Sequence, residues 1–320
     1  MLRYTVDVRT LLWAAMFPVV ALAHYARPEL CGYLLPVSLY LGFCSGVFSH
    51  NQNHCPTFKS KRLNALYSAY LSFFYGYPTF GWIPTHNLNH HKFVNKAGDA
   101  TITWRQSREN TGWVAFTYFF LSVYHQAEPI QAYIRKAREK NGALFRQIVG
   151  QYATVALGHL GALALGVWMH GWGVGFKVYF FGFAVPALFA LWSMIFINFI
   201  QHVHCDPWSE HNHSRNFVSR FGNFLVFNNG YHAAHHENAG LHWSKLPEAH
   251  AKIEHLIDPE LNQNSIFGFC FRAYVLGLFS SRFRTRQIGR PAYDPPEQGA
   301  LDLRTAEVDA VEAGTNAEMA

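Results

Sequence analysis

Two closely spaced pairs of apolar stretches constrain this chain more than any other feature. Hydrocarbon about 30 Å thick is crossed by roughly 20 mostly apolar residues at about 1.5 Å rise each. Residues 10–25, 30–49, 150–169 and 174–199 meet or approach that length, the first being short. Links at residues 26–29 and 170–173 join each pair, so each pair reads as a helical hairpin. The expected fold is an all-α membrane protein: four transmembrane helices in two hairpins, with a cytosolic helical cap. Only 14% of the residues are charged and 50% are hydrophobic, too little charge to wet an ordinary soluble globule. A mean hydropathy of −0.02 still leaves room for a substantial polar part. Arg3, Asp7 and Arg9 precede the first stretch without a small-residue cleavage site, so it reads as a retained span and not a secretory signal.

Basic residues orient the spans. Lys and Arg number 26 against 20 Asp and Glu, a formal charge of +6. With both hairpins starting inside, the outer links hold only Arg27, and Lys177 sits at a membrane edge. The others, Arg135, Lys136, Arg138, Lys140 and Arg146 among them, fall on the inner side, as cytoplasmic loops require. Both termini are therefore expected in the cytoplasm. Because the basic residues follow the membrane edge, nucleic-acid binding is not indicated. Five scattered cysteines (Cys31, Cys44, Cys55, Cys205, Cys270) form no Cys-x-x-Cys pair. That excludes a disulfide framework and a built-in rubredoxin, zinc ribbon or iron–sulfur module. Beyond Arg286 large apolar residues become scarce. Residues 287–320 are expected to be a disordered acidic tail, leaving residues 1–286 as a single membrane domain.

Histidine accounts for 19 of 320 residues, and it is clustered. His50 and His54 form HNQNH at the end of the second span; His86, His90 and His91 form HNLNHH; His232, His235 and His236 form HAAHH. Residues three or four apart share one helix face, so these spacings aim imidazoles at a common point. His91 lies five residues from His86 and leaves that face unless the helix ends or bends there. His24, His125, His159 and His170 stand singly in or beside apolar runs and read as structural, as do His242, His250 and His255. A structural zinc site would take four ligands, and eight clustered imidazoles exceed that. They suffice for two metals of higher coordination number. Asn198 and His202 end the fourth span four residues apart, with His204 close by and His211 and His213 soon after. Spacing leaves His202 and His204 as alternatives.

The order HxxxH, HxxxHH, HxxHH resembles the histidine boxes of the membrane fatty acid desaturase and hydroxylase superfamily. The segment NNGYHAAHHENAGLHWSKLP looks like the third-box region of bacterial acyl desaturases, and HHKFVNKAGD like the continuation of their second box. The likeness covers roughly residues 50–247 and implies a bacterial inner-membrane enzyme. Acyl-CoA desaturases of this superfamily add a ligand through an Asn-x-x-x-His step, with the asparagine reaching metal through water. Asn198 and His202 match that step, which favours His202 over His204. The resemblance then implies nine ligands to two non-haem irons: His50, His54, His86, His90, His91, His202, His232, His235 and His236. One departure is visible: the first box often reads HDxxH, and here Asn51 replaces the aspartate. If that aspartate supports a ligand, Asp99 or Asp206 is expected to take its place.

Convergence of the boxes settles two ambiguous stretches. The chain between His54 and His86 must return to the side it left, and residues 63–83 are too few to cross twice. Gly76 and Pro78 interrupt them, so an interfacial or re-entrant segment is expected, and residues 112–123 are likewise expected not to span. The function implied is an O₂-dependent desaturase acting on an acyl-lipid, acyl-CoA or acyl carrier protein. The alternative with the same boxes is a hydroxylase or ketolase of a lipid, alkane or carotenoid. Hydrogen removal from an unactivated methylene needs a metal cofactor, and iron accepts imidazole well. Electrons must come from a separate ferredoxin, rubredoxin or cytochrome-type donor. The basic inner face, with Lys59, Lys61, Arg62, Arg135, Lys136 and Arg138, reads first as positive-inside topology and only second as an attraction for an acidic donor or acyl carrier. A metal transporter would place ionisable groups within its spans, and these spans carry almost none.

Overall fold

The computed structural model describes residues 1–296. The chain opens with α1 (Asp7–Ala26), α2 (Cys31–His54) and α3 (Lys61–Tyr75). A π-helical segment, Ile83–His90, runs into the short α4 (His91–Phe93). Long helices α5 (Gly112–Lys140), α6 (Gly142–Tyr179) and α7 (Val185–His202) follow, the last two joined by a π-turn at Phe180–Ala184. Short helices complete the described chain: α8 (Arg220–Leu225), α9 (His232–Glu237), α10 (Leu246–Ile253), α11 (Ile266–Cys270) and α12 (Gly277–Phe279). The all-α expectation needs one amendment. Strands β1 (Asn216–Phe217) and β2 (Asn262–Gln263) form a two-stranded parallel pair.

The described chain forms two compact units. One comprises Met1–Trp82 with Ala132–Met194; the other comprises Ile83–Gln131 with the described residues from Ile195 onward.

In the first unit, α1 buries Thr10, Ala14, Phe17, Ala21 and His24 at helical spacing. Its opposite face exposes Leu12, Val19 and Leu22. An apolar outer face of this kind belongs in lipid. Small residues let backbones approach closely: a Cβ on Gly42 would lie 2.5 Å from the Pro186 carbonyl oxygen. Helix α3 has 15 residues, about 22 Å at helical rise, less than a bilayer core. It is capped by Ser60 and ended by Gly76, whose φ of 74° a side chain would resist.

Among the described residues, three helical stretches are long and apolar enough to cross a membrane: Asp7–Ala26, Pro28–His54 and Gly142–His202. The two distal spans expected at residues 150–169 and 174–199 thus lie in one run of 61 residues. Within it Gly171 is non-helical, with φ 74° and ψ 173°. Beyond it Gly175 packs back on the preceding arm, where a Cβ would fall 2.4 Å from the Val167 nitrogen. Neither residues 63–83 nor residues 112–123 lie in these stretches. None of the five cysteines is in a disulfide.

In the second unit, a core of Val114, Ala115, Tyr118, Phe199, Ile200, Val203, Phe217, Phe269 and Ala273 ties α5, α7, β1 and α11 together. Residues 287–296, expected in the disordered tail, are instead fixed against it. Ile288 N–H donates to the His204 carbonyl at 2.9 Å, Trp208 Nε1 donates to the Pro291 carbonyl at 3.0 Å, and Arg108 stacks on Tyr293. Backbone pairing and one aromatic ring hold what composition alone suggested was too polar to order. The rest of the expected tail, residues 297–320, lies outside the described residues.

Candidate metal centre

The second box owes its geometry to a change of helical pitch. An α-helix would turn His91 away from His86, but Ile83–His90 is π-helical, with i to i+5 periodicity. His86 Nε2 and His91 Nε2 therefore meet at 3.1 Å. The chain then reverses through Val94 and Asn95, both with positive φ (44° and 65°). Such a conformation is uncommon for asparagine and strained for a β-branched residue. It returns Asp99 to the π-helix, where its carboxylate lies 2.8 Å from His90 Nδ1.

Helix α9 supplies the third box. Asn216 Oδ1 accepts from Ala233 N–H at 2.8 Å and fixes its first turn. His232, His235 and His236 then share one face. His236 Nε2 is 3.1 Å from His232 Nε2, and His235 Nε2 is 3.1 Å from His91 Nε2. His202, the last residue of α7, closes the group at 3.0 Å from His90 Nε2 and 2.9 Å from His232 Nε2. The ligand atoms of His90, His202, His232 and His236 all lie within 4.8 Å of one another. Beside them, His86, His91 and His235 form a second chain of contacts. Within the first unit, His50 and His54 stack at 4.7 Å between centroids on the last turn of α2. His50 Nδ1 lies 3.2 Å from Asn51 Oδ1. The residue that replaces the expected aspartate thus still offers an oxygen acceptor, without its charge.

The donor set fits a metal. His90 gives its Nδ1 proton to Asp99, and His202 gives its own to the His213 carbonyl at 3.1 Å. Nε2 of each ring is then the atom turned to the other, the two standing 3.0 Å apart. A cation between them would take a lone pair from each. Two nitrogens bound about 2.1 Å from one ion at right angles are separated by about 3.0 Å, and by about 3.4 Å in a tetrahedron. Spacings of 2.9–3.1 Å are thus short enough for neighbouring rings to share an ion. Burial, and after it the His91, His232, His202 and His90 rings, holds His236 well below the usual imidazole range, so it is neutral as a ligand must be.

Asp99 is fully enclosed. Burial by itself would raise its carboxyl; the His90 ring and the Thr101 hydroxyl and amide donors outweigh that and hold it at about 2. It also accepts the Asn95 amide at 2.7 Å. Asp206, the other expected substitute, instead accepts from the Trp208 and Arg290 backbone amides and fixes a loop. Asn198 donates to the Tyr118 hydroxyl at 3.2 Å, and Tyr118 donates to the Thr101 carbonyl. His204 is committed elsewhere: Nε2 to the Arg108 carbonyl and Nδ1 to the Thr285 hydroxyl, both 2.9 Å. The single histidines bind neighbours: His24 with Ser38, His159 with the Phe73 carbonyl, His170 with the Tyr25 carbonyl. Sequence reasoning gave no role to His213, which is buried with its ring 5.3 Å from that of His236. Nor did it foresee Thr101. No spacing signal marks either residue, since both act across turns.

The family model described as Fatty acid desaturase matches residues 12–266. Neither a curated protein nor a solved structure matches the chain.

Proposed function

The chain belongs to the fatty acid desaturase family, and from that premise we propose that it is an O₂-dependent di-iron oxidoreductase that introduces a double bond into an acyl chain. The observation that carries this reading is the set of imidazole nitrogens 2.9–3.1 Å apart in the second unit, each positioned to give a lone pair to a shared ion. Iron pairs bound by imidazole supply, with O₂ and electrons, the oxidising power to take hydrogen from a methylene.

The residues proposed to hold the two irons are His50, His54, His86, His90, His91, His202, His232, His235 and His236, with Asn198 reaching metal through water. His50 and His54 enter this set on their box spacing and the family resemblance. Asp99 and the His213 carbonyl keep His90 and His202 in the tautomer that presents Nε2. His90, His202, His232 and His235 are themselves buried, which keeps bulk water from their ring nitrogens.

In this reading the chain crosses the bacterial inner membrane four times, the break at Gly171 separating the last two crossings, and both termini are cytoplasmic. An acyl-lipid, acyl-CoA or acyl carrier protein brings the substrate, and a separate ferredoxin, rubredoxin or cytochrome-type protein brings electrons. Expression in a host of known lipid profile, followed by chromatography and mass analysis of the released acyl chains, tests the proposal. A product two hydrogens lighter is expected. A product heavier by one oxygen would make the enzyme a hydroxylase, and no new product in iron-replete cells would remove the acyl assignment.

A further inference from the structure

A cavity of about 400 Å³ in the second unit is lined by Arg215, Arg272, Arg282, Arg284, Arg286 and a single acid, Glu260, among other residues. Glu260 is taken by Arg286, whose guanidinium binds both its oxygens. Arg215 is 2% exposed and donates to the carbonyls of Ile200 and Val203. Its charge is thus buried against neutral partners, a costly arrangement that a nearby anion relieves. Arg215 and Arg272 both lie over the Phe269 ring, at 4.8 and 5.6 Å from its centroid. Arg272 and Arg284 likewise donate only to neutral oxygens, those of Phe283, Gln263 and Gly277, so with its one acid taken the cavity is short of negative charge.

The helical segment Ile266–Phe279 supplies another of its walls, through Arg272, and has an unusual outer face. Phe269, Ala273 and Gly277 face the core, while Phe267, Phe271, Val275, Leu278 and Phe279 form the opposite stripe. Phe267 and Phe279 are 83% exposed and Leu278 is 73% exposed. An apolar stripe of this size beside clustered arginines is the pattern of a helix lying in a membrane interface. We infer that the cavity binds the phosphate of an anionic phospholipid whose acyl chains lie along this stripe. Arginine forks match phosphate oxygens in pairs, and anionic lipid draws such residues to the bilayer surface. None of the lining residues is a histidine of the cluster, although the Arg215 charge reaches His202, and the inference does not depend on which reaction that cluster performs.

Native mass spectrometry of the full chain in mild detergent, with phosphatidylglycerol or phosphatidylcholine added, tests the inference. The protein is expected to retain phosphatidylglycerol over phosphatidylcholine. In an Arg282→Gln/Arg284→Gln variant that preference should fall at least about tenfold, from roughly a factor of five for each surface arginine lost. Lipid held around the spans is common to both proteins, so the difference between them is the reading. Phe267→Ser/Phe279→Ser, which keeps every charge, should also weaken retention, and it serves if the arginine variant does not fold. Equal retention of the two lipids, or undiminished phosphatidylglycerol in the variants, overturns the assignment. So does tight retention of pyrophosphate by a protein that shows no preference for phosphatidylglycerol, which would make the cavity a site for a soluble phosphate-bearing ligand.

Discussion

His86 and His91 bring their Nε2 atoms to 3.1 Å although five residues separate them, a contact that the π-helical pitch of Ile83–His90 makes possible. At α-helical pitch the two rings would diverge by roughly 140° about the axis. The wider turn costs some hydrogen-bond quality, so it persists because something else in the site rewards it. Two rings on one ion would do so.

Deleting Leu88 shortens the interval between His86 and His91 to four residues and that between His86 and His90 to three, restoring ordinary helical register. The variant is expected to insert in the membrane but lose bound iron and all product. Metal analysis of purified protein beside product chromatography checks this. Full iron content would show that the π-turn serves no ligand.

Asp99→Asn keeps the shape of the side chain and removes the charge that holds His90 by its Nδ1 proton. Loss of an outer partner of this kind typically costs about 10–100-fold in metal affinity or activity. Iron retention against a graded chelator should fall in that range, with the helical content of the protein unchanged. The change also weakens the Thr101 and Asn95 bonds to the same carboxylate, so a Thr103→Val control, which loosens the same turn through Asn95 Oδ1, separates turn stability from ligand support.

The legible parts of this protein are those written in short-range spacing. Apolar length marked the helices, and i, i+3 and i+4 histidines marked the box faces, because both are properties of a single helix. His91 broke the α-helical rule, and the sequence showed the conflict without its solution. A π-turn is a cooperative response to packing and ligands, and no residue in IPTHNLNH demands one. Asp99 and His213 reach their partners only after the chain reverses through Val94 and Asn95, or returns from the end of α7. Such contacts depend on three-dimensional closure, and composition carries no trace of them. The placement of residues 287–296 was illegible for the same reason: it comes from docking on the His204, Asp206 and Arg108 region.

His202 and His204 were alternatives by spacing, and mutation should separate them sharply. His202→Ala is expected to abolish product and lower iron content, since its Nε2 stands 3.0 Å from His90 and 2.9 Å from His232. His204→Ala removes bonds to the Arg108 carbonyl and the Thr285 hydroxyl. That should cost about 1–2 kcal/mol of stability while leaving turnover per bound iron intact. Activity normalised to iron is the discriminating measurement; a normalised loss for His204→Ala would place it at the metal after all.

Gly230 offers a test of how tightly α9 is aimed. It precedes His232 by two residues, and a Cβ there would fall 2.3 Å from the Phe217 carbonyl oxygen and 2.6 Å from Asn223 Oδ1. The Phe217 contact is with backbone, and Asn223 is buried and bonded to the Phe217 and Ser219 carbonyls, so neither neighbour can give way cheaply. Gly230→Ala must therefore push the start of α9 outward. Overpacking of this kind costs about 1–3 kcal/mol, and a displacement of a few tenths of an ångström reaches His232 directly. The expected outcome is a lower melting temperature in detergent together with reduced iron content, and the second effect should persist at temperatures where the protein is fully folded. Gly240 serves as the control, because a Cβ there meets nothing within 4 Å and Gly240→Ala should change neither quantity. If both variants bind iron like the parent, α9 is not held by this contact, and the convergence of His232, His235 and His236 has another cause.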